Sequence, residues 1–489
     1  VEAENGDREM RVVRYAPEFE SAELLDRIAT ERLNRYILGI VVEMDATASV
    51  RGLVEKGPAK LPPENFISRD EAFAAVVLHS LLHFDVLHDA TKYGGLSFAE
   101  WLRGYSWLQR RASRNPQPLE HVVVDHALAE LIDVGLSEKS ARTFVDQVSL
   151  HKGRTDLFDT PLIAVNDGTF VYHPHLFQSA NVPRILISRL AGLSVSIAPK
   201  GKAFETEAIA TFTKAGRKPV ALKFKRDEQE YEYDAVFLWD RKLFIFECKS
   251  YSLPMLQPLQ LHWYVNKMGR AMRQVRRLAE AANRCPDEIR ARLGKDAEWE
   301  EVVPCVLNSL PWSAGLQDTG VYVLDHSLVR RYLETQTFFI RIPLQIGNTK
   351  IHVRHHLKQM WPDSGPTAEL FLREMKLPWQ IKSIGAGFEI KESIAQLSES
   401  SMFVVPAIRH APPNLAESLA AVGIPDPTRE LEELQREFAR VRASVEGEDS
   451  PKKGAKTQTA KADSSSCPLP AKHLRGNKPR KATPSKRKK

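Results

Sequence analysis

Cysteine is scarce. The 489-residue chain has four, Cys248, Cys285, Cys305 and Cys467, and no two stand in a CxxC pair. That spacing argues against a zinc ribbon or a disulfide framework and fits a reducing compartment, so a cytoplasmic protein is expected. Long apolar runs are missing as well. None reaches the roughly 18–20 residues of a membrane span, and Ala72 to Phe84 is interrupted by His79 and His83. No membrane partner and no signal peptide are expected. No internal repeat is found. Large apolar residues almost vanish from about Gly447 onward, where Lys, Ser, Pro, Thr and Ala dominate. Such a segment buries too little to offset its ordering entropy, so residues 447–489 are expected to be a disordered basic tail. Acidic residues are rare there too. Pro451–Lys489 holds ten Lys and three Arg against Asp463, a charge of +12 in a chain whose total is +7, which leaves −5 for the rest. The folded body is mildly acidic, and a polyanion would need local positive charge or the tail to hold it.

What is present is ordinary for a globular chain. It is 43% hydrophobic and 27% charged, with length for two to four domains. Residues 1–160 read as a mostly helical domain. Apolar residues recur at helical spacing in Phe19–Tyr36, Glu71–His88, Ser97–Arg111 and Leu119–Ile132, and Ser137 opens a further helix to about Leu150. His79 and His83 stand four apart and share a helix face, as two metal ligands would. No Glu completes an HExxH pattern there, and partly buried helix histidines are the plainer explanation. Residues 161–199 hold a hairpin from Pro161 to Pro174, turning at Asn166-Asp167-Gly168, and a connecting helix over Ile185–Leu193. Arg184 and Arg189 of that helix are candidate phosphate contacts.

Tyr231 to Ser250 reads as two strands and a tight turn, with polar Asp240-Arg241-Lys242 between aromatic and aliphatic runs. A turn centred on Asp240-Arg241 sets Trp239 opposite Lys242, Leu238 opposite Leu243, Val236 opposite Ile245 and Asp234 opposite Glu247. Opposed residues on one face have Cβ atoms about 4.5–5.5 Å apart. Strand alternation puts Lys249 on the face of Glu247. Two carboxylates and an ammonium would then converge. Facing carboxylates repel unless a proton or a cation lies between them, and a hard divalent cation with oxygen ligands is the natural solution. The plainer alternatives are a strand-edge role for Asp234, a pairing of Lys249 with Glu232, and core packing for Cys248 beside Phe244 and Phe246.

The order Asp, twelve residues, then Glu-x-Lys resembles the PD-(D/E)xK nuclease superfamily, although Tyr233 rather than Pro precedes Asp234. Upstream, Lys200-Gly201-Lys202-Ala203-Phe204-Glu205 is similar to the KGxxxE opening of the archaeal Holliday-junction resolvases, whose helix acid also serves the metal site. Glu207, on the same first turn, is the alternative helix acid. Downstream, Gln274 on a basic helix resembles the Gln of nuclease-related and restriction-endonuclease-like domains. The resemblance covers about residues 200–335. It implies an α/β fold, a central mixed β-sheet flanked by helices with a restriction-endonuclease-like core, and a DNA endonuclease that needs Mg²⁺ or Mn²⁺. Asp234, Glu247, Glu205 and the Cys248 carbonyl would hold the metal, which would acidify a bound water and polarise the scissile phosphate. Lys249 would orient or help deprotonate that water or stabilise developing charge, and Gln274 would orient water or a backbone phosphate. Defence, repair and recombination are all compatible, and a homodimer is left open.

The helix expected from about Leu259 to Asn283 carries Arg270, Arg273 and Arg277 on one face, with Trp263 and Tyr264 one to two turns earlier. These arginines are candidate phosphate contacts, against the plain reading of a solvated face. Residues 336–446 read as an α+β extension. It holds a strand pair from Thr337 to His356 turning at Gly347-Asn348, with His352, Arg354 and His356 on one face, and a helix starting at Asp426-Pro427. Two other readings stand beside the nuclease: a catalytically inactive nuclease fold that binds nucleic acid or a partner, and a metal site at His79 and His83.

Overall fold

The computed structural model describes residues 11–14, 17–46, 60–151, 156–166, 168–193, 197–346, 349–398, 401–411 and 414–448. The basic tail from residue 449 on, Asp167 and the Gly347-Asn348 turn lie outside the described residues, as do the side chains of His352 and Arg354.

β1 (Arg11–Arg14) precedes three helices, α1 (Pro17–Ala46), α2 (Arg69–Leu82) and α3 (Phe98–Arg114). Ser68 and Ser97 cap α2 and α3 by accepting the N–H groups of Glu71 and Glu100. Next come β2 (Glu120–Val123), α4 (Val124–Asp133) and α5 (Glu138–Gln147). The helix expected over Leu119–Ile132 therefore splits. Its first residues are extended, with Val122 buried between outward-facing His121 and Val123. Pro116 and Pro118 ahead of it and the β-branched pair Val122-Val123 favour that choice. β3 (Ile163–Asn166) and β4 (Thr169–Tyr172) form the expected hairpin, and β4 also pairs with β2. α6 (Pro174–Gln178) and α7 (Val182–Gly192) follow. Arg189 of α7 is buried and donates to the Gln147 carbonyl at 2.7 Å and to its side-chain oxygen at 2.8 Å, so it is a packing residue rather than a phosphate contact.

The central part runs α8 (Ala198–Lys214), β5 (Val220–Arg226), β6 (Gln229–Trp239), β7 (Lys242–Lys249), α9 (Pro258–Arg284), α10 (Pro286–Leu293), β8 (Glu301–Asn308), β9 (Gly315–Leu316), β10 (Tyr322–Asp325) and α11 (His326–Glu334). Its sheet has the order β5-β6-β7-β8-β10-β9. β5, β6 and β7 are antiparallel, β8 lies parallel to both β7 and β10, and β9 is an antiparallel edge. The fold is thus mixed α/β with a mixed sheet flanked by helices. The C-terminal extension adds β11 (Thr337–Ile346), β12 (Thr349–Gln359), α12 (Ala368–Lys376), α13 (Trp379–Gly385), β13 (Phe388–Ser398), β14 (Ser401–His410), α14 (Leu415–Val422) and α15 (Pro427–Glu448). The Asp426 carboxylate caps α15 through the Arg429 N–H, and His355 of β12 bonds Glu430 and Glu437, which docks α15 on the body.

The sheet buries both faces. Val236, Leu243, Ile245 and Val306 pack on Leu261, Met268 and Val275 of α9, and this cluster continues into the N-terminal helices. Phe237, Phe244, Phe246, Cys248 and Leu307 pack on Phe204 and Phe212 of α8 and on α12. α1 is tied to the sheet by the buried ion pair of Arg32 with Asp325 and to the β7–α9 loop by Asp26. Among the described residues no helix is long and apolar enough to cross a membrane.

Candidate active site

The β6–β7 turn is a two-residue one. Asp240 and Arg241 both adopt left-handed backbone, φ 49° and 60°, as a type I′ turn requires. Outside contacts support this costly pair: Asp240 accepts the Ala368 N–H at 2.7 Å, and Arg241 pairs with Glu300 at 3.0 Å. The register then runs Trp239↔Lys242, Leu238↔Leu243, Val236↔Ile245 and ends at Ala235↔Phe246.

The ladder ends there because β6 carries a bulge. Val220 pairs with Val236 but Leu222 pairs with Tyr233, so Ala221 alone opposes Asp234 and Ala235. The bulge switches the strand's parity: Tyr231 and Tyr233 join the core under α9 together with Val236. Asp234 sits on the bulge. Its Oδ2 accepts the Cys248 N–H at 2.8 Å, the donor that the next backbone carbonyl of an unbroken ladder would have taken.

β7 runs between β6 and β8 and delivers Glu247 into the interior at 2% exposure. Glu247 Oε1 is ion-paired with Lys249 Nζ, and Lys249 Nζ also faces Gln274 Oε1 of α9 at 3.4 Å. Glu247 Oε2 is buried without a hydrogen-bond partner among the described residues. Glu232, the alternative partner of Lys249, instead pairs with Lys223 at 3.3 Å on the edge of the sheet. Lys249 is further held from β8: the Ser309 N–H donates to the Lys249 carbonyl at 2.8 Å, and buried Asn308 accepts the Tyr251 N–H at 3.2 Å while donating to Tyr264.

Burial raises Asp234 to a pKa of about 7, with the Glu247 charge adding to the rise and the Cys248 N–H opposing it. Burial also raises Glu247, against the pull of Lys249. For Lys249 burial acts downward, but the Glu247 carboxylate outweighs it and holds the ammonium above its ordinary value. Glu205 on the first turns of α8 adds to the rise at both acids, so it stands on this side of the helix. Burial raises Glu207, and its charged neighbours are Arg330, Glu334 and Lys214, which places it toward α11.

The site residues read from the sequence therefore divide. Asp234, Glu247, Lys249 and Gln274 are brought together. Glu205 is near but is engaged by Lys202 at 2.8 Å. The Cys248 thiol is packed among Phe244 and Phe246 on the other face, and burial holds it well above the ordinary thiol range, so only its backbone belongs to the site. Arg270, Arg273 and Arg277 are exposed on α9, and the Arg277 guanidinium lies 5.4 Å from the centre of the Tyr231 ring. His83 ends α2 in left-handed backbone, φ 64°, and its ring packs on Phe204 and His326. Burial, then the neighbouring His326, lowers it to about 3.

Among the described residues no group of three or more His, Cys, Asp or Glu is placed to hold a metal ion. Two acids are. A buried carboxylate oxygen without a donor, beside a second acid of raised pKa, is a donor set that a divalent cation would satisfy. Glu205, paired through one carboxylate oxygen with the exposed Lys202, stands at the rim of that set. Asn308 and Asp26 support the site and escaped the sequence reading. The single polar residue closing the apolar run Val302–Leu307 was the available sign of Asn308. No family model matches this chain, and no curated protein or solved structure matches it either.

Proposed function

We propose that the chain is a metal-dependent DNA endonuclease of the PD-(D/E)xK type, with its core in the six-stranded sheet and the helices α8 and α9. The observation that carries this reading is the convergence of Asp234, Glu247 and Lys249 at one end of the β6–β7 hairpin, with Glu247 Oε2 buried and lacking a donor among the described residues. Two buried acids with raised pKa values are costly to keep in a fold that makes no use of them. The order of elements, helix, three antiparallel strands, helix, then a parallel strand, supports the restriction-endonuclease-like core that the resemblance implies.

Asp234 and Glu247, with the Cys248 carbonyl, would hold the cation. When bound, a divalent cation supplies charge neutralisation at the phosphate and a more acidic water. The chain's own residues do the rest. Lys249, fixed between Glu247 and Gln274, presents an ammonium where a water or a phosphate oxygen would stand, and so orients the nucleophile and balances negative charge developing on phosphorus-bound oxygens. Gln274 holds the Lys249 side of that arrangement from α9.

The test is a nicking assay on supercoiled plasmid with Mg²⁺ or Mn²⁺. The wild-type chain should relax or linearise it, while Asp234→Ala and Lys249→Ala lose cutting by roughly a hundredfold or more and still bind DNA. Full activity in both variants would sink the reading. A second reading rests on the finding that, among the described residues, no three acids are placed together to hold a metal ion. It is a nucleic-acid-binding platform without catalysis, and it expects binding, no cutting with either metal, and no Glu247-dependent heat on titration with Mg²⁺.

A further inference from the structure

α9 buries one stripe, Leu261, Tyr264, Met268, Ala271, Val275 and Leu278, against the sheet. A second stripe on the same helix is left open. Trp263, Lys267, Arg270, Arg273 and Arg277 recur three and four residues apart, so they share a face. Gln274 stands at the edge of that face, beside Lys249. Trp263, Lys267, Arg270 and Arg273 line an open concavity with Asn266. Trp263 is 50% exposed, and Leu259 one turn earlier is 61% exposed.

Cations alone on this face would suit any polyanion. An uncovered indole in line with them narrows the choice. In a duplex both faces of each base are already stacked, and a side-chain ring gains little there. An unpaired base offers a free π-face, and aromatic rings set along a cationic track are how non-specific single-strand binders hold it. An exposed leucine beside the ring can act as a wedge at a partly unstacked step. The stripe also has a definite reach. From Trp263 to Gln274 the helix rises about 16 Å at roughly 1.5 Å per residue. That is about five nucleotides at the roughly 3.4 Å spacing of a stacked strand.

We propose that the N-terminal half of α9 holds an unpaired DNA strand, with Trp263 stacked on a base and Lys267, Arg270 and Arg273 following its phosphates toward Lys249. The preferred substrate is DNA with an unpaired segment a few nucleotides from the scissile bond: an overhang, flap, gap or single strand. Only the position of the cut rests on the nuclease reading. The strand-holding role does not.

The experiment is fluorescence anisotropy with the full chain in EDTA at fixed salt, so that cutting plays no part. The probes are a labelled single strand, a blunt duplex of the same sequence, and that duplex with an overhang. The single strand and the overhang should bind tighter than the blunt duplex. Trp263→Ala should weaken both by roughly tenfold and change the blunt duplex by less than about twofold, and Trp263→Phe should recover most of the loss. Arg270→Ala with Arg273→Ala should weaken every probe and flatten the salt dependence by about one unit of slope for each phosphate no longer neutralised. Equal affinity of wild type and Trp263→Ala for all three probes, or an equal loss on all three, overturns the proposal. Trp263-dependent strand binding in a protein that cuts nothing supports it while sinking the nuclease reading alone.

Discussion

Asp234 Oδ2 accepts the backbone N–H of Cys248 at 2.8 Å, so the acid of β6 is fastened to β7 between its acid, Glu247, and its amine, Lys249. The link anchors the Asp234 carboxylate to the backbone of β7 between those two residues. It also has an electrostatic consequence. Asp234 ionises near pH 7 in the fold against about 4 in an unfolded chain. A carboxyl raised in this way contributes its stability at low pH and loses it as the pH climbs from about 4 to about 7. Asp234→Asn keeps an acceptor for the Cys248 N–H without the charge. In EDTA at pH 8 this variant should be more stable than wild type by on the order of 1–2 kcal/mol, and the advantage should vanish by pH 4. Urea unfolding at both pH values reads it. Saturating Mg²⁺ should raise the wild-type melting temperature and leave the variant's unchanged.

Lys249 balances Glu247 through Oε1, while Oε2 has no partner among the described residues. Lys249→Met would leave a buried carboxylate with nothing to balance it, so Glu247 must take up a proton or hold an uncompensated charge. We expect a loss of about 1–3 kcal/mol at pH 8, shrinking toward pH 4 as Glu247 protonates. Glu247→Gln should cost less than Lys249→Met, because the ammonium it leaves behind is one-fifth exposed and can reach water, whereas the Glu247 carboxylate cannot. Equal losses in the two variants would mean that the ammonium is as poorly solvated as the carboxylate.

The hairpin was readable because its signals are local: alternating aromatic and aliphatic residues, and a polar turn that sets register once its centre is chosen. Glu247 and Lys249 follow from alternation alone. The bulge at Asp234-Ala235 was not readable, since neither Gly nor Pro marks it and the reason for it lies in pairing with β5. Expectation therefore set Asp234 squarely opposite Glu247, whereas the chain places it on a parity switch and turns its carboxylate to the backbone. β2 was missed because the period of Leu119–Ile132 fits a helix, and only its partner strand, some fifty residues on, makes it extended. The bracing of the sheet by α1 leaves no local pattern at all: Arg32 and Asp325 are 293 residues apart.

That brace makes its own prediction. The Asp325 side chain is fully buried and is held by Arg32, Ser313 and Ser327, which together keep it ionised below the usual carboxylate range against the cost of burial. Arg32→Ala would leave the carboxylate without its cation. A loss of about 3–5 kcal/mol is expected, enough to unfold a chain of ordinary stability near its working temperature. Thermal melting followed by circular dichroism checks this. Arg32→Met with Asp325→Asn should recover more than half of the loss, because the second change removes the buried charge that the first one strands and keeps an acceptor for the Leu328 N–H that Asp325 caps.

Asp26 of α1 takes the Leu256 N–H at 2.8 Å in the loop that joins β7 to α9. Met255 and Leu256 both carry left-handed backbone there, φ 55° and 67°. Each such residue costs on the order of 1–2 kcal/mol without a glycine, so the loop holds its shape only while something outside it compensates. Asp26 is that group, and burial raises it to about 6 in spite of the bond it accepts from Leu256. Asp26→Ala should let the loop relax. Amide exchange at Met255 to Gln257 should speed by at least tenfold, with the β7 amides unchanged. Because the loop sets where α9 begins, and Gln274 faces Lys249 from α9, cutting should fall several-fold in the same variant. Adding Met255→Gly and Leu256→Gly, which remove the left-handed penalty, should restore much of that activity but not the slow exchange. Wild-type exchange rates in Asp26→Ala would show that the loop keeps its form unaided, and α1 would lose its part in placing α9.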